Sequence, residues 1–250
     1  MTRRFPDHFS GHAALYQRYR PTYPAALYAW LAERSPSRRV AWDCATGNGQ
    51  AAVGLAPHFD AVVATDASGE QLAHARPHAR VSYVRATAEQ APLPPASVDM
   101  VTVAQAVHWF DMEAFYREVR RVARPGGHLA VWTYSLVEAG PEVDGVVRWF
   151  YDDVVGPYWP PERQHVHEHY EKLPFPFDEV DGVPHFDMRP RWTREDLLGQ
   201  LTTWSSVNRY RDAHGEDPLA LLEPRLAEVW PDPREVRTLS WPIILRVGRL

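Results

Sequence analysis

Asp43-Cys44-Ala45-Thr46-Gly47-Asn48-Gly49-Gln50 closes an apolar run at residues 39–44 and leads straight into the helical pattern AAVGLA at 51–56. Two glycines one residue apart at that junction permit a tight turn and let backbone approach a ligand closely. In an open parallel sheet such a turn lies at the carboxyl edge of the strands, where these folds bind. The surrounding chain repeats the same grammar. Apolar runs at 39–44, 61–66, 80–84, 98–104 and 128–134 alternate with helical patterns, which predicts five strands of a parallel sheet joined by crossover helices. Ser68-Gly69-Glu70-Gln71 reads as a capping box opening a helix that stops at Pro77. Asp111 caps a helix whose Met112, Phe115, Val119, Val122 and Ala123 share one face, ending at Arg124-Pro125-Gly126-Gly127.

Further out, residues 10–33 read as two helices broken at Arg20-Pro21-Thr22-Tyr23-Pro24. Residues 136–190 are rich in proline and aromatics without a clear period, and predict an irregular cap over the open end of the sheet. Thr193 caps a helix (EDLLGQLTTW), and VRTLSWPIILRVGRL at 236–250 predicts a long terminal strand. The expected division is one domain over 1–250: N-terminal helices at 1–36, a cofactor-binding core at 37–135, a cap and substrate region at 136–205, and a C-terminal helix and strand at 206–250.

Charge and cysteine content narrow the function. A net charge of -5 without any Lys/Arg block argues against a phosphate-tracking surface, so nucleic acid is not an expected partner. The single cysteine, Cys44, allows no internal disulfide and no thiolate metal set, which suits a reducing cytoplasm. No apolar run approaches membrane-spanning length and no signal-peptide core follows the N-terminus, so a cytoplasmic protein with no membrane partner is expected. His165, His167 and His169 would share a face on a strand, but their neighbours are not strand-like, and no metal is predicted.

About twenty residues after the glycines, Asp66 ends the second run, the position from which an acidic side chain takes ribose hydroxyls. Gly47, Gly49 and Ala52 also match the dinucleotide pattern G-x-G-x-x-A. Asp43 weighs against a dinucleotide, because a carboxylate there would face an anionic pyrophosphate, whereas S-adenosylmethionine presents an ammonium and a sulfonium. Asp43 could equally cap backbone amides of the turn.

These residues carry a resemblance. DCATGNG resembles the glycine-rich motif of class I S-adenosylmethionine-dependent methyltransferases; Asp66 matches their acidic second-strand residue; Ala88-Glu89 in RATAEQAPLP resembles the segment bordering adenine. SVDMVTVAQAVHWFD resembles the fourth-strand motif and ARPGGHLAV the turn into the fifth strand. HWFD, the N-terminal Tyr/Arg-Pro segment and the terminal VGR resemble a branch that includes trans-aconitate methyltransferase-like proteins. Thr87 departs from the pattern, standing where the family often has Asp.

The resemblance implies a doubly wound, Rossmann-like α/β fold: a mostly parallel seven-stranded sheet with an inserted cap and an N-terminal helical lid. It implies S-adenosyl-L-methionine held by Asp43, Ala45, Gly47, Gly49, Asp66, Ala67, Thr87, Ala88, Glu89, Gln105 and Arg20, with the Ala88 amide at the adenine edge. Tyr16, Tyr19 and Trp109 would line the substrate. His108 could serve as a general base or as a pocket wall. The expected activity is methyl transfer to a small molecule, one bearing a carboxylate, by a monomer or weak homodimer. An NAD-dependent oxidoreductase and a noncatalytic adenosylmethionine-binding protein are the alternatives.

Overall fold

The computed structural model describes residues 19–250. Five strands, β1 (Val40–Cys44), β2 (Ala61–Asp66), β3 (Val81–Arg85), β4 (Val98–Ala104) and β5 (Ala123–Tyr134), pair in parallel in the order β3-β2-β1-β4-β5. Two short strands, β6 (Asp178–Glu179) and β7 (Phe186–Met188), follow. A separate two-stranded pair is made by β8 (Arg191–Trp192) and β9 (Arg237–Thr238), and the chain ends on β10 (Trp241–Arg249). β10 lies antiparallel to β5, and β6 and β7 pair with β10 in turn. The eight strands thus occupy seven positions across a doubly wound, mostly parallel sheet.

The central strands are buried on both faces because helices cover each side, and their alternate residues feed two cores. Ala41 of β1 and Met100 of β4 join Leu27, Leu31, Leu55 and Phe59 on one side. Trp42 and Val101 join Phe115, Val119 and Val122 on the other. The helices are α1 (Ala25–Arg34), α2 (Gln50–Leu55), α3 (Gly69–Ala73), α4 (Met112–Val122), α5 (Pro141–Trp149), α6 (Gln164–His167), α7 (Arg194–Leu201), α8 (Ser205–His214) and α9 (Leu219–Val229). The strand order reverses between β1 and β4, which opens a crevice outside their carboxyl ends.

Several boundaries differ from the sequence expectation. α3 stops at Ala73, not Pro77, and only half of the capping box forms at its N-terminus. Ser68 Oγ accepts from the Gln71 N–H, but the Ser68 N–H donates to Asp66 Oδ1, and Arg76 N–H then bonds Asn48 O and draws the chain back to the glycine turn. β5 starts at Ala123 rather than His128: it advances from Ala123 to His128 while β4 advances from Val98 to Met100. That bulge is held by Arg124 on Asp99 and by two backbone bonds with Leu250, whose carbonyl accepts from Gly126 N–H and whose N–H donates to Gly127 O.

The stretch expected to be an irregular cap contains α5 and α6 and supplies β6 and β7 to the sheet. The C-terminal region holds two helices, and its expected long strand is split at Leu239-Ser240, where Ser240 pairs with Glu138. Thr193 and Asp196 complete a reciprocal capping box on α7, as the sequence suggested, although α7 ends at Leu201 before Trp204. The first of the two expected N-terminal helices, and Tyr16 in it, lie outside the described residues.

Candidate functional site at the carboxyl edge

The turn from β1 into α2 runs through left-handed backbone at Ala45 (φ 53°), Gly47 (φ 57°) and Gly49 (φ 82°). The two glycines serve different ends. A Cβ on Gly49 would overlap the Tyr83 ring, whose hydroxyl donates to Arg76 O at 2.6 Å, so this glycine is required by packing. Among the described residues, a Cβ on Gly47 would meet only Gln71 Oε1, at an ordinary 3.7 Å, so packing does not require this glycine as it does Gly49. Asp66 holds the turn from the neighbouring strand, accepting from Gly47 N–H at 2.8 Å through Oδ2 and from Ser68 N–H at 2.8 Å through Oδ1.

Asp43 sits beneath the turn, 1% exposed. It accepts from Thr102 Oγ1 at 2.8 Å and from the Thr46 hydroxyl. Burial pushes its carboxyl up to about 6; hydrogen bonds from Thr46, Thr102 and the Ala52 backbone oppose this, and the charge on Asp66 adds to it. Burial also raises the Cys44 thiol well above its usual range, and the charges of Asp43, Glu89 and Asp66 raise it further. Three carboxylates therefore converge on the end of β1. Glu89 additionally accepts from the Asp111 N–H at 3.2 Å, which ties the loop after β3 to the start of α4. In that loop Ala88 is buried and Thr87 exposed, while Ala67 O accepts from Arg85 across the mouth of β2.

Across the crevice, Gln105 follows β4 with φ 59°. Its Oε1 accepts from Thr133 Oγ1 at 3.1 Å, and its Nε2 is buried without a hydrogen-bond partner among the described residues. His108 is 7% exposed, with Nδ1 2.9 Å from the Tyr170 hydroxyl. Burial pushes its imidazole down to about 3, helped by the charges of Arg163 and His165, so it is neutral near pH 7 and a weak proton acceptor. Trp109 packs its ring 4.9 Å from that of His108.

The N-terminal segment closes over this edge from the side. Gln50 Nε2 donates to Pro21 O at 3.2 Å, Arg20 Nη1 donates to the Tyr134 hydroxyl on β5, and Tyr19 packs where Gly199 of α7 lacks a Cβ. The cap adds a cavity of about 320 Å³ lined by Tyr151, Trp159, Arg163 and His167 among others. Its Pro161–Arg163 turn rests against the Val107–Trp109 turn that follows β4. His165 and His167 fall on α6, where a spacing of two residues points side chains to different sides.

Of the sequence-derived residues, Asp43, Ala45, Gly47, Gly49, Asp66 and Ala67 form one loop system, with Glu89 joined to it electrostatically. Gln105, His108 and Trp109 line the other bank, while Arg20 and Tyr19 belong to the segment packed on β5 and α7. The reading missed Thr102 and Tyr83, which hold the turn, and Thr133, Tyr170 and Arg163. Thr102 had a signal, as a polar residue inside the apolar run VDMVTVA; Tyr170 had none, being 62 residues from its partner.

Comparison with known proteins now bears on this edge. A family described as a methyltransferase domain matches residues 42–131, which run from β1 to the middle of β5. A candidate methyltransferase of Dictyostelium discoideum is 31% identical over 239 residues, covering 91% of this chain and 88% of its own. The chain belongs to the class I S-adenosylmethionine-dependent methyltransferases. The solved structure of a candidate type II methyltransferase from Anaeromyxobacter dehalogenans is similar to this methyltransferase at 47% identity and a TM-score of 0.87, over 92% of this chain and 98% of that one. An uncharacterized methyltransferase of Mycobacterium tuberculosis shares 40% identity over 126 residues, half of this chain and 51% of its own. Family membership makes adenosylmethionine, rather than a dinucleotide, the cofactor of this methyltransferase.

Proposed function

We propose that the protein methylates a small molecule bearing a carboxylate, with S-adenosylmethionine held at the carboxyl ends of β1, β2 and β4. The observation that carries the cofactor assignment is the convergence of Asp43, Glu89 and Asp66 on the end of β1. Such a negative edge favours a sulfonium and an ammonium and opposes a pyrophosphate. The residues fit this cofactor: Gly47 gives the turn a side without a Cβ, Asp66 ends β2 at the turn where a carboxylate can meet ribose hydroxyls, and Gln105 Nε2 is a buried donor without an acceptor among the described residues. Ala45, Gly47 and Gly49 would border the methionyl part, Thr87 and Ala88 the adenine, and Arg20 a carboxylate. When bound, the cofactor supplies an electrophilic methyl group.

In this reading the chain's own task is alignment and exclusion of water, since an in-line displacement is accelerated strongly by positioning alone. Asp43 acts through the turn rather than on the ligand, bracing it from below through Thr46. The acceptor's carboxylate is assigned to Arg163, which takes part in none of the ion pairs among the described residues. Its guanidinium lies 4.5 Å from the Trp159 ring centre and its Nε 3.5 Å from the Tyr151 hydroxyl, so a planar anion could pair with it against aromatic walls.

Calorimetry with adenosylmethionine, its demethylated product and NAD tests the cofactor. Binding of the first two and not the third is expected, and Gly47→Val should remove that binding while leaving the chain folded. Micromolar NAD binding with no adenosylmethionine signal overturns the assignment. Methyl transfer to a panel of small hydroxy and amino carboxylic acids, with their amides as controls, tests the acceptor. Arg163→Gln should raise KM by about tenfold to a hundredfold, as expected for loss of a charged hydrogen bond of roughly 1.5 to 3 kcal/mol. Cofactor binding without any methylated product would favour the noncatalytic alternative.

A further inference from the structure

The helix α4 carries one exposed ion pair and one buried carboxylate. Glu113 and Arg117 meet at 2.9 Å with side chains 89% and 69% exposed, so water screens them and little depends on their pairing. Glu118 is 8% exposed and is buried along with Phe115, Val119 and Val122 of the same helix. A carboxylate in such a place is costlier than a leucine unless its oxygens are well hydrogen-bonded. Here they are: Glu118 Oε1 accepts from Arg121 Nη2 at 2.6 Å and from Ala91 N–H at 2.7 Å, and Oε2 accepts from Arg121 Nε at 2.7 Å. The Arg121 hydrogen bonds hold the Glu118 carboxyl below its ordinary range against its burial, and the Ala91 N–H adds to the effect.

This pair grips the loop after β3. Pro92, Pro94 and Pro95 have no backbone N–H, so the stretch cannot complete a strand ladder and its other polar groups need partners from elsewhere. Arg121 supplies two of them, donating from Nη1 to Leu93 O at 2.8 Å and from Nη2 to Ala91 O at 3.1 Å. A planar guanidinium can serve a carboxylate and two carbonyls together; an ammonium lacks the fork to do so. Immediately before Ala91 the chain makes a turn bridged by Thr87 and Gln90. That turn is tied at its entrance by Ala86 N–H on Asp66 O at 3.0 Å, at Glu89 Oε1 by the Asp111 N–H at 3.2 Å, and at its exit by Ala91 N–H on Glu118.

We propose that Glu118 and Arg121 are positioning residues for cofactor recognition, holding the Thr87–Gln90 turn so that its backbone reads the adenine edge. The proposal rests on the reading above that Thr87 and Ala88 border the adenine. What the carboxylate does that a leucine could not is fix the Ala91 N–H and aim Arg121 at the two loop carbonyls. Neither side chain touches the ligand in this scheme. The specificity that results is for a purine presenting a ring-nitrogen acceptor beside an amino group, over hypoxanthine, which presents an N–H and a carbonyl there.

Calorimetry of the full chain with adenosylhomocysteine and with its inosine counterpart tests the proposal, beside amide hydrogen exchange of the ligand-free chain. The wild type should bind the adenine compound more tightly. Glu118→Gln is close in shape but brings an NH2 group against Arg121, and Arg121→Lys keeps the charge without the fork. Each variant should lose about tenfold in affinity for adenosylhomocysteine, the worth of one good hydrogen bond, and much less for the inosine compound. Exchange of the Ala91 amide should quicken in both. In methyl transfer, KM for adenosylmethionine should rise while kcat stays within a factor of about two. Glu113→Gln, on the exposed side of the same helix, should change none of these. Because the Arg121 side chain is 37% exposed, Arg121→Lys keeps the test open should Glu118→Gln fail to fold. A wild type that binds the two compounds alike overturns the adenine placement, and the proposal with it. A wild type that discriminates, with folded variants that discriminate as well, overturns the proposal alone. Equal losses for both compounds would make the pair a brace of the fold only, and overturn it too.

Discussion

Asp43 and Asp99 lie on the adjacent strands β1 and β4, both carboxylates buried, at opposite edges of the sheet. Asp99, at the amino edge, accepts from Ser37 Oγ at 2.7 Å, Arg39 N–H at 3.0 Å, Val40 N–H at 2.9 Å and Arg124 Nη1 at 2.7 Å. Burial opposes its ionisation, but the hydrogen bonds from Val40, Ser37 and Arg124 outweigh it and hold the carboxyl below its ordinary range. Asp43, at the carboxyl edge, has two threonine hydroxyls, a backbone amide and a second carboxylate nearby, and its carboxyl is pushed up. One edge is electrostatically saturated. The other also carries left-handed backbone at Ala45 and Gln105 and a Gln105 Nε2 without a partner among the described residues, features that cost stability and are tolerated where a ligand completes the site.

The contrast makes predictions of graded size. Asp99→Ala should be the most damaging, because it leaves Arg124 and two backbone amides without their shared acceptor. A loss of about 3 to 5 kcal/mol is expected, lowering Tm by roughly 10 °C, with affinity for the demethylated cofactor unchanged. A loss under about 1 kcal/mol in denaturant unfolding would show that the amino edge is not the saturated one.

Titration of stability comes next. Asp43 has a folded pKa of about 6 against an ordinary carboxyl value of 3.8. The folded chain therefore holds the extra proton between those limits, and stability falls as pH rises from about 4 to about 6. At 1.36 kcal/mol per unit the swing is about 3 kcal/mol, and it should vanish in Asp43→Asn. Asp99 has the opposite sign: its contribution is present above its unfolded pKa and is lost as pH falls through its depressed folded value. Parallel pH profiles for Asp43→Asn and Asp99→Asn would erase the comparison.

Asp66→Ala should weaken adenosylmethionine binding by about tenfold to a hundredfold, or roughly 1.5 to 3 kcal/mol, through loss of a charged hydrogen bond to ribose. Because Asp66 also ties Gly47 to Ser68, some loss of thermal stability should accompany it. Stability lost with affinity kept within a factor of about two would make Asp66 a brace only. The smallest effect is expected from Thr102→Val, which removes one donor from Asp43: about 1 kcal/mol of stability, with the Asp43 window moved to higher pH in the same profile.

The parts of this protein readable without coordinates are those whose cause is local. A strand covered on both faces must be apolar along its length, so β1, β2, β4 and most of β5 stood out as runs; helix caps such as Asp111 and Thr193 act within three residues; and the glycine turn needs its left-handed backbone wherever it is placed. Tertiary structure decided what depends on distant partners. β6 and β7 are two and three residues long, too short to show a period, and exist because β10 offers them an edge. Gly49 is required by Tyr83, and His108 meets the Tyr170 hydroxyl from 62 residues away. Periodicity records whether a residue is buried; it carries no record of which residue, many positions away, will be brought to meet it.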